Sequence, residues 1–191
     1  MHEIQWSEDF DKQGLEPKRQ FWLTQQESTT KILRTIYQEN ALDIKVCYAD
    51  WSQPNNMELD YLQTEPQECW LRETILYIHN KPWMWARTII PKLAIQTFNI
   101  DLTKIDKTPL GSVIFHEPGL ARSEFSYSTL KPTDDMYQKI QQHSTINTKK
   151  LWARRSIFSL LDSNFCLTEV LLDDLPQLPA ETVVAQIMSS R

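Results

Sequence analysis

Two charged residues stand where the pattern of the chain wants apolar ones. In residues 69–78, CWLRETILYI, alternation puts Arg72 on one face with Trp70, Thr74, Leu76 and Ile78. In residues 165–172, FCLTEVLL, Glu169 shares its face with Phe165, Leu167 and Leu171. Desolvating a charge without a partner costs several kcal/mol, of order ~3 or more, so each of these groups must be paired, hydrogen-bonded or neutralised. The strand pattern alone favours the simpler solution, a structural ion pair between Arg72 and Glu169. The other solution is a ligand. Arg87, which alternates with Trp83, Trp85 and Ile89, and the adjoining Arg154 and Arg155 are secondary candidates for an anion site. For Arg155 a stem packed on aromatic faces with the head in water is the preferred reading. Trp70, Trp83 and Trp85 are expected in the core.

Two helix starts add a second kind of anion receptor, because the first amides of a helix lack internal acceptors and lie at its positive end. Ser28 is placed as the cap of a helix that begins at Thr29. Thr108-Pro109-Leu110-Gly111 announces another, with Thr108 as cap and Pro109 at the first helical position, ending near Pro118-Gly119. If Thr29 and Leu110 point at one place, two amides and a guanidinium make a carboxylate receptor. Capping alone is the commoner role for such residues.

Other chemistries lack their residues. Gly14, Gly111 and Gly119 are too scattered for a phosphate loop, and His2, His79, His116 and His143 show no metal-ligand spacing. No serine sits in a nucleophile elbow. Cys47, Cys69 and Cys166 are far apart in apolar surroundings and are expected as small core residues rather than disulfides. A net charge of -5 without a basic cluster argues against nucleic acid. The first residues do not resemble a signal peptide, and no run approaches the ~20 apolar residues of a membrane span, so a cytoplasmic location is expected.

The elements that must position these groups fit one domain over residues 1–191, with 41% hydrophobic residues and a length below the ~250 residues at which single cores stop growing. Residues 28–40 read as a helix from the spacing of Ile32, Leu33, Ile36 and Tyr37. Residues 43–51 and 57–64 read as two early strands around a turn. Residues 69–78 with 83–90, and residues 151–160 with 165–172, read as two hairpins; residues 133–143 read as a mostly polar surface helix with Met136, Tyr137 and Ile140 on one face. The expected class is α+β: a compact domain with an antiparallel sheet packed by helices.

Three segments, CWLRETILYIHNKPWMWARTIIP, KTPLGSVIF and LWARRSIFSLLDSNFCLTEVLL, together resemble the chorismate pyruvate-lyase family over the middle and C-terminal half of the chain. The family's fold, a compact α+β domain with an antiparallel sheet, agrees with the expectation above. The resemblance implies an enzyme without metal or organic cofactor that turns chorismate into 4-hydroxybenzoate and pyruvate, as a step toward ubiquinone. It also implies that Arg72 and the amide of Leu110 bind the ring carboxylate and that Glu169 meets the 4-hydroxyl. A third amide, aligned with ESTTK, falls on Thr29. Arg87 or Arg154 is then the candidate for the enolpyruvyl carboxylate, from charge placement. The stretch between Glu124 and Lys150 is longer than the family pattern. A monomer with a small-molecule substrate is expected. The alternative is a ligand-sensing domain of the same fold that binds a small aromatic carboxylate without catalysis. The stretch before the fold, with Glu8, Asp9 and Glu16, is short and acidic, so no winged helix is expected there and the enzyme is the favoured expectation. A relative making a different product from chorismate is a third possibility.

Overall fold

The structure is a computed structural model that describes residues 4–11, 14–98 and 101–180. In chain order these residues form α1 (Pro17–Thr24), α2 (Thr29–Ile36), β1 (Leu42–Ser52), α3 (Asn56–Leu62), β2 (Cys69–Ile78), β3 (Lys81–Pro91) and α4 (Lys92–Thr97). They continue with α5 (Leu110–Ile114), β4 (Ala121–Arg122), β5 (Ser126–Leu130), α6 (Asp135–His143), β6 (Leu151–Leu160) and β7 (Ser163–Leu171).

The two hairpins build the centre of the sheet. His79 and Asn80, both at positive φ (49° and 63°), turn β2 into β3, as a two-residue hairpin turn of this twist requires. Leu161 (φ 53°) and Asp162 turn β6 into β7. The strands lie antiparallel in the order β1-β2-β3-β7-β6-β4, with β5 paired to the other end of β6. The expected α+β arrangement is thus met: an antiparallel sheet packed by helices on both faces. No helix of the described residues is long and apolar enough to cross a membrane.

One face carries Trp85, Ile75, Ala153 and Val170 under Tyr137 and Ile140 of α6, with Leu71, Ile89 and Cys166 under Leu62 of α3. The other carries Met84 and Leu171 under Trp22 and Leu23 of α1 and Ile32 and Leu33 of α2, and Phe158 and Phe165 under Ala94 of α4 and Leu110 and Ile114 of α5. Between those two apolar groups on the second face lies the cavity described below. Cys69 and Cys166 are buried free thiols and Cys47 is half-buried.

Two expectations are corrected. Residues 57–64 are not a strand: Asn56–Leu62 is helical, because Asn55 Oδ1 accepts from the Glu58 amide at 3.0 Å while Glu58 Oε2 accepts from the Asn55 amide at 3.0 Å. That reciprocal capping box satisfies two amides at once and decides a short apolar run whose periodicity was ambiguous. The helix at KTPLG is also shorter than its pattern. Pro109, not Thr108, is the cap, and the helix ends at Ile114, well before Pro118-Gly119. Ser28 caps α2 as expected, its Oγ accepting from the Lys31 amide at 3.4 Å.

Candidate active site

The cavity floor is one face of three neighbouring strands, β2, β3 and β7. Arg72 and Thr74 of β2, Ala86 and Thr88 of β3, and Leu167 and Glu169 of β7 line it. Thr74, Ala86 and Thr88 are small for strand interiors, which leaves space above the sheet. Thr29 and Thr30 of α2, Leu110 and Gly111 of α5, and Arg122 of β4 close it from above and from the side. The volume is about 60 Å³, room for several waters at ~10–15 Å³ each.

The two short helices meet over this space. A Cβ added to Gly111 would lie 3.3 Å from Ser28 Oγ and 3.0 Å from the Phe115 ring, so the N-terminal ends of α2 and α5 are in close contact. Thr29 and Leu110, each the first residue of its helix, line the cavity together with Arg72. Their amides have no acceptor inside their own helices.

Arg72 is buried at 4% exposure, yet no carboxylate of the described residues pairs with it. One terminal nitrogen donates to the carbonyls of Asp106 (2.7 Å) and Thr108 (3.0 Å), which tie the guanidinium to the loop before α5. Its buried Nε has no hydrogen-bond partner among the described residues. Burial draws its pKa down to about 10, with the Asp106 carboxylate opposing the shift, so it remains a cation at neutral pH.

The expected Arg72–Glu169 pair does not form. Arg72 faces Thr88 across β2–β3, and Thr88 faces Leu167 on β7; Glu169 lies on the next inward row, two residues farther along. Two strand spacings and two residues of rise put their Cα atoms roughly 12 Å apart. Glu169 instead pairs with Arg154, its direct cross-strand partner on β6, at 2.7 Å from Nε to Oε2. Arg122 Nη2 stands 3.4 Å from the same oxygen. Burial pushes the Glu169 pKa up, but Arg154 and then Arg122 outweigh it and hold the carboxyl below its ordinary value. It is an ionised acceptor. Among the described residues its other oxygen, Oε1, has only a long contact of 3.5 Å from the Thr29 hydroxyl.

Arg154 has its donors engaged within the protein. Besides Glu169 it donates to the carbonyls of Leu23 (3.1 Å) and Gln25 (2.8 Å) and to Thr29 Oγ1 (3.2 Å). It therefore fastens the C-terminal end of α1 and the start of α2 to the sheet, and it is 1% exposed. Arg87 is on the opposite face, bonded to Glu58 and Glu73, and does not reach the cavity. Arg155 lies over the rings of Tyr61 (3.6 Å) and Trp6 (4.4 Å), in keeping with its expected packing on aromatics.

Arg122 is the cavity-lining charge that sequence reasoning missed. Its strand has two residues and pairs only with the end of β6, so no alternation announces it. The one sequence signal is an arginine shortly after the Pro118-Gly119 break.

The chorismate lyase family model matches residues 1–184. The chain belongs to the chorismate lyase family. The chorismate pyruvate-lyase of Pectobacterium carotovorum subsp. carotovorum (strain PC1) is 30% identical over 156 residues, covering 81% of this chain and 77% of that protein. A probable chorismate pyruvate-lyase of Nitrosomonas eutropha (strain DSM 101675 / C91 / Nm57) is 26% identical over 158 residues, covering 83% and 88%. As a chorismate lyase family member the protein is a lyase. In fold it is similar to the PhnF C-terminal domain, with a TM-score of 0.56 at 13% identity over 72% of this chain and 87% of that one. It is likewise similar to the C-terminal domain of the histidine utilization repressor from Pseudomonas syringae pv. tomato str. DC3000, with a TM-score of 0.55 at 12% identity, covering 73% and 97%. These two likenesses concern the fold alone.

Proposed function

We propose that the protein converts chorismate to 4-hydroxybenzoate and pyruvate, with Arg72 and the amides of Thr29 and Leu110 on the ring carboxylate and Glu169 on the 4-hydroxyl. The observation that carries this reading is the polarity of the cavity. At one end is a buried guanidinium with no carboxylate of its own and an unused Nε; at the other is an ionised carboxylate with one oxygen open. A ring with a carboxylate at one end and a hydroxyl at the other matches both.

The reaction itself needs little from the protein. Breaking the C–H bond at the hydroxyl-bearing carbon and the C–O bond of the neighbouring enolpyruvyl ether leaves an aromatic ring. The electron pair of the C–H bond becomes ring bonding and the ether oxygen departs as enolpyruvate, which takes up a proton to become pyruvate. Glu169 orients the hydroxyl and polarises the carbon that bears it, and the fixed positive groups lower the cost of the departing oxyanion. The reading includes a cytoplasmic monomer that supplies ubiquinone synthesis.

The test is incubation of purified protein with chorismate in excess chelator and chromatography of the products. Equimolar 4-hydroxybenzoate and pyruvate are expected. Binding of 4-hydroxybenzoate without turnover would point to a ligand-sensing domain instead, and another aromatic product to a different route.

A further inference from the structure

Chorismate carries two carboxylates, and the reading above places only the one on the ring. Arg72, Arg122 and the one carboxylate Glu169 line the cavity, and Arg154 pairs with Glu169 from beside it, which leaves two positive charges in excess. Arg154 is committed to Glu169, Thr29 and two carbonyls. Arg72 lies at the ring-carboxylate end. With the 4-hydroxyl on Glu169, the adjacent ring carbon, which bears the enolpyruvyl ether, must lie at the Glu169 end, where Arg122 stands 3.4 Å from Oε2.

We infer that Arg122 binds the enolpyruvyl carboxylate of the substrate, the role for which Arg87 and Arg154 had been the candidates; the inference rests on the proposed function. Arg122 is held for that task. Its Nε donates to Ser156 Oγ at 2.9 Å, and its guanidinium lies 4.1 Å from the Phe125 ring centroid and 4.9 Å from that of Phe158. Ser156 is fully buried, so its hydroxyl is a fixed acceptor. Two rings and one hydroxyl set the plane of the fork, and its Nη1 makes no hydrogen bond with the described residues. In that place the cation both selects a diacid and faces the ether oxygen as it gains negative charge.

The test pairs two ligands with two variants. Calorimetry is run with 4-hydroxybenzoate and with 3-(carboxymethoxy)-4-hydroxybenzoate, which adds a carboxylate where the substrate has one, on wild type, Arg122→Met and Arg122→Lys. Arg122→Met should weaken the diacid roughly tenfold or more beyond any change for 4-hydroxybenzoate, and Arg122→Lys should fall between. Turnover of chorismate by Arg122→Met should show a raised KM and a lowered kcat. Equal weakening of both ligands would reduce Arg122 to a positioning partner of Glu169 and overturn the inference. If Arg122→Met does not fold, the Lys variant carries the same comparison, and an unselective loss there overturns it too. Wild type that binds neither ligand and leaves chorismate intact removes the proposed function itself, an outcome separate from any effect at Arg122.

Discussion

Both faces of the central sheet bury arginines with carboxylates, and they do so to different ends. On the face under α3 and α6, Arg87 is 6% exposed and donates to Glu58 at 2.7 and 3.1 Å and to Glu73, its direct cross-strand partner. Lys139 stands 3.5 Å from Glu73, so two cations meet two carboxylates. Glu58 and Glu73 more than offset the burial of Arg87 and hold its pKa above the ordinary value. On the face under α2 and α5, Arg154 and Glu169 make an equivalent cross-strand pair, but Arg72 and Arg122 are added without carboxylates to match, beside an open cavity. Burial of charge therefore does not by itself mark a binding site; unmatched donors next to empty space do.

The strongest way to break this comparison is at Arg87. Arg87→Met leaves Glu73 buried with only Lys139 beside it, and stability should fall by about 3–5 kcal/mol. In the protein that remains folded, 4-hydroxybenzoate affinity should stay within ~0.5 kcal/mol, since the two clusters lie on opposite faces and share no partner. Chemical denaturation alongside calorimetry checks both halves, and a selective loss of binding would return Arg87 to the site.

Glu169 belongs to both categories, and removing it should show both effects. Glu169→Ala strands Arg154 and should cost about 3 kcal/mol of stability. It should also erase the preference for 4-hydroxybenzoate over benzoate, about 1.5–3 kcal/mol in wild type. A preference that survives means another residue reads the hydroxyl. The pH dependence follows in sign. The folded pKa lies below the ordinary 4.5, so this carboxylate's contribution is fully present above 4.5 and is lost as pH falls through the depressed value. Acid denaturation curves of the Ala variant should therefore be flatter than those of wild type below about pH 4.5.

The smallest effect is expected at Arg72, because lysine keeps the charge and loses the fork. Arg72→Lys should weaken 4-hydroxybenzoate by roughly 1.5 kcal/mol, about tenfold. Unchanged binding would take Arg72 out of the site and leave its unpaired burial without a ligand to account for it.

Much of this was legible in the chain. Alternation placed Arg72 and Glu169 inward, the β-branched and aromatic runs marked both hairpins, and Ser28 announced α2, because these features depend on neighbours within a few residues. The Asn55–Glu58 box is equally local, and it outweighs the partial alternation that favours a strand at residues 57–64. Partnership was not legible. Which carboxylate meets which arginine depends on cross-strand register, which sets Arg154 opposite Glu169 and Glu73 opposite Arg87 while leaving Arg72 two strands away. The convergence of Thr29 and Leu110, and the entry of Arg122 from a two-residue strand, depend on segments distant in sequence packing over one cavity. The sequence by itself determined that Arg72 and Glu169 would be buried; only the tertiary structure brought Arg122 beside them and decided which charge would meet which, because side-chain periodicity acts along one strand and charge pairing acts across several.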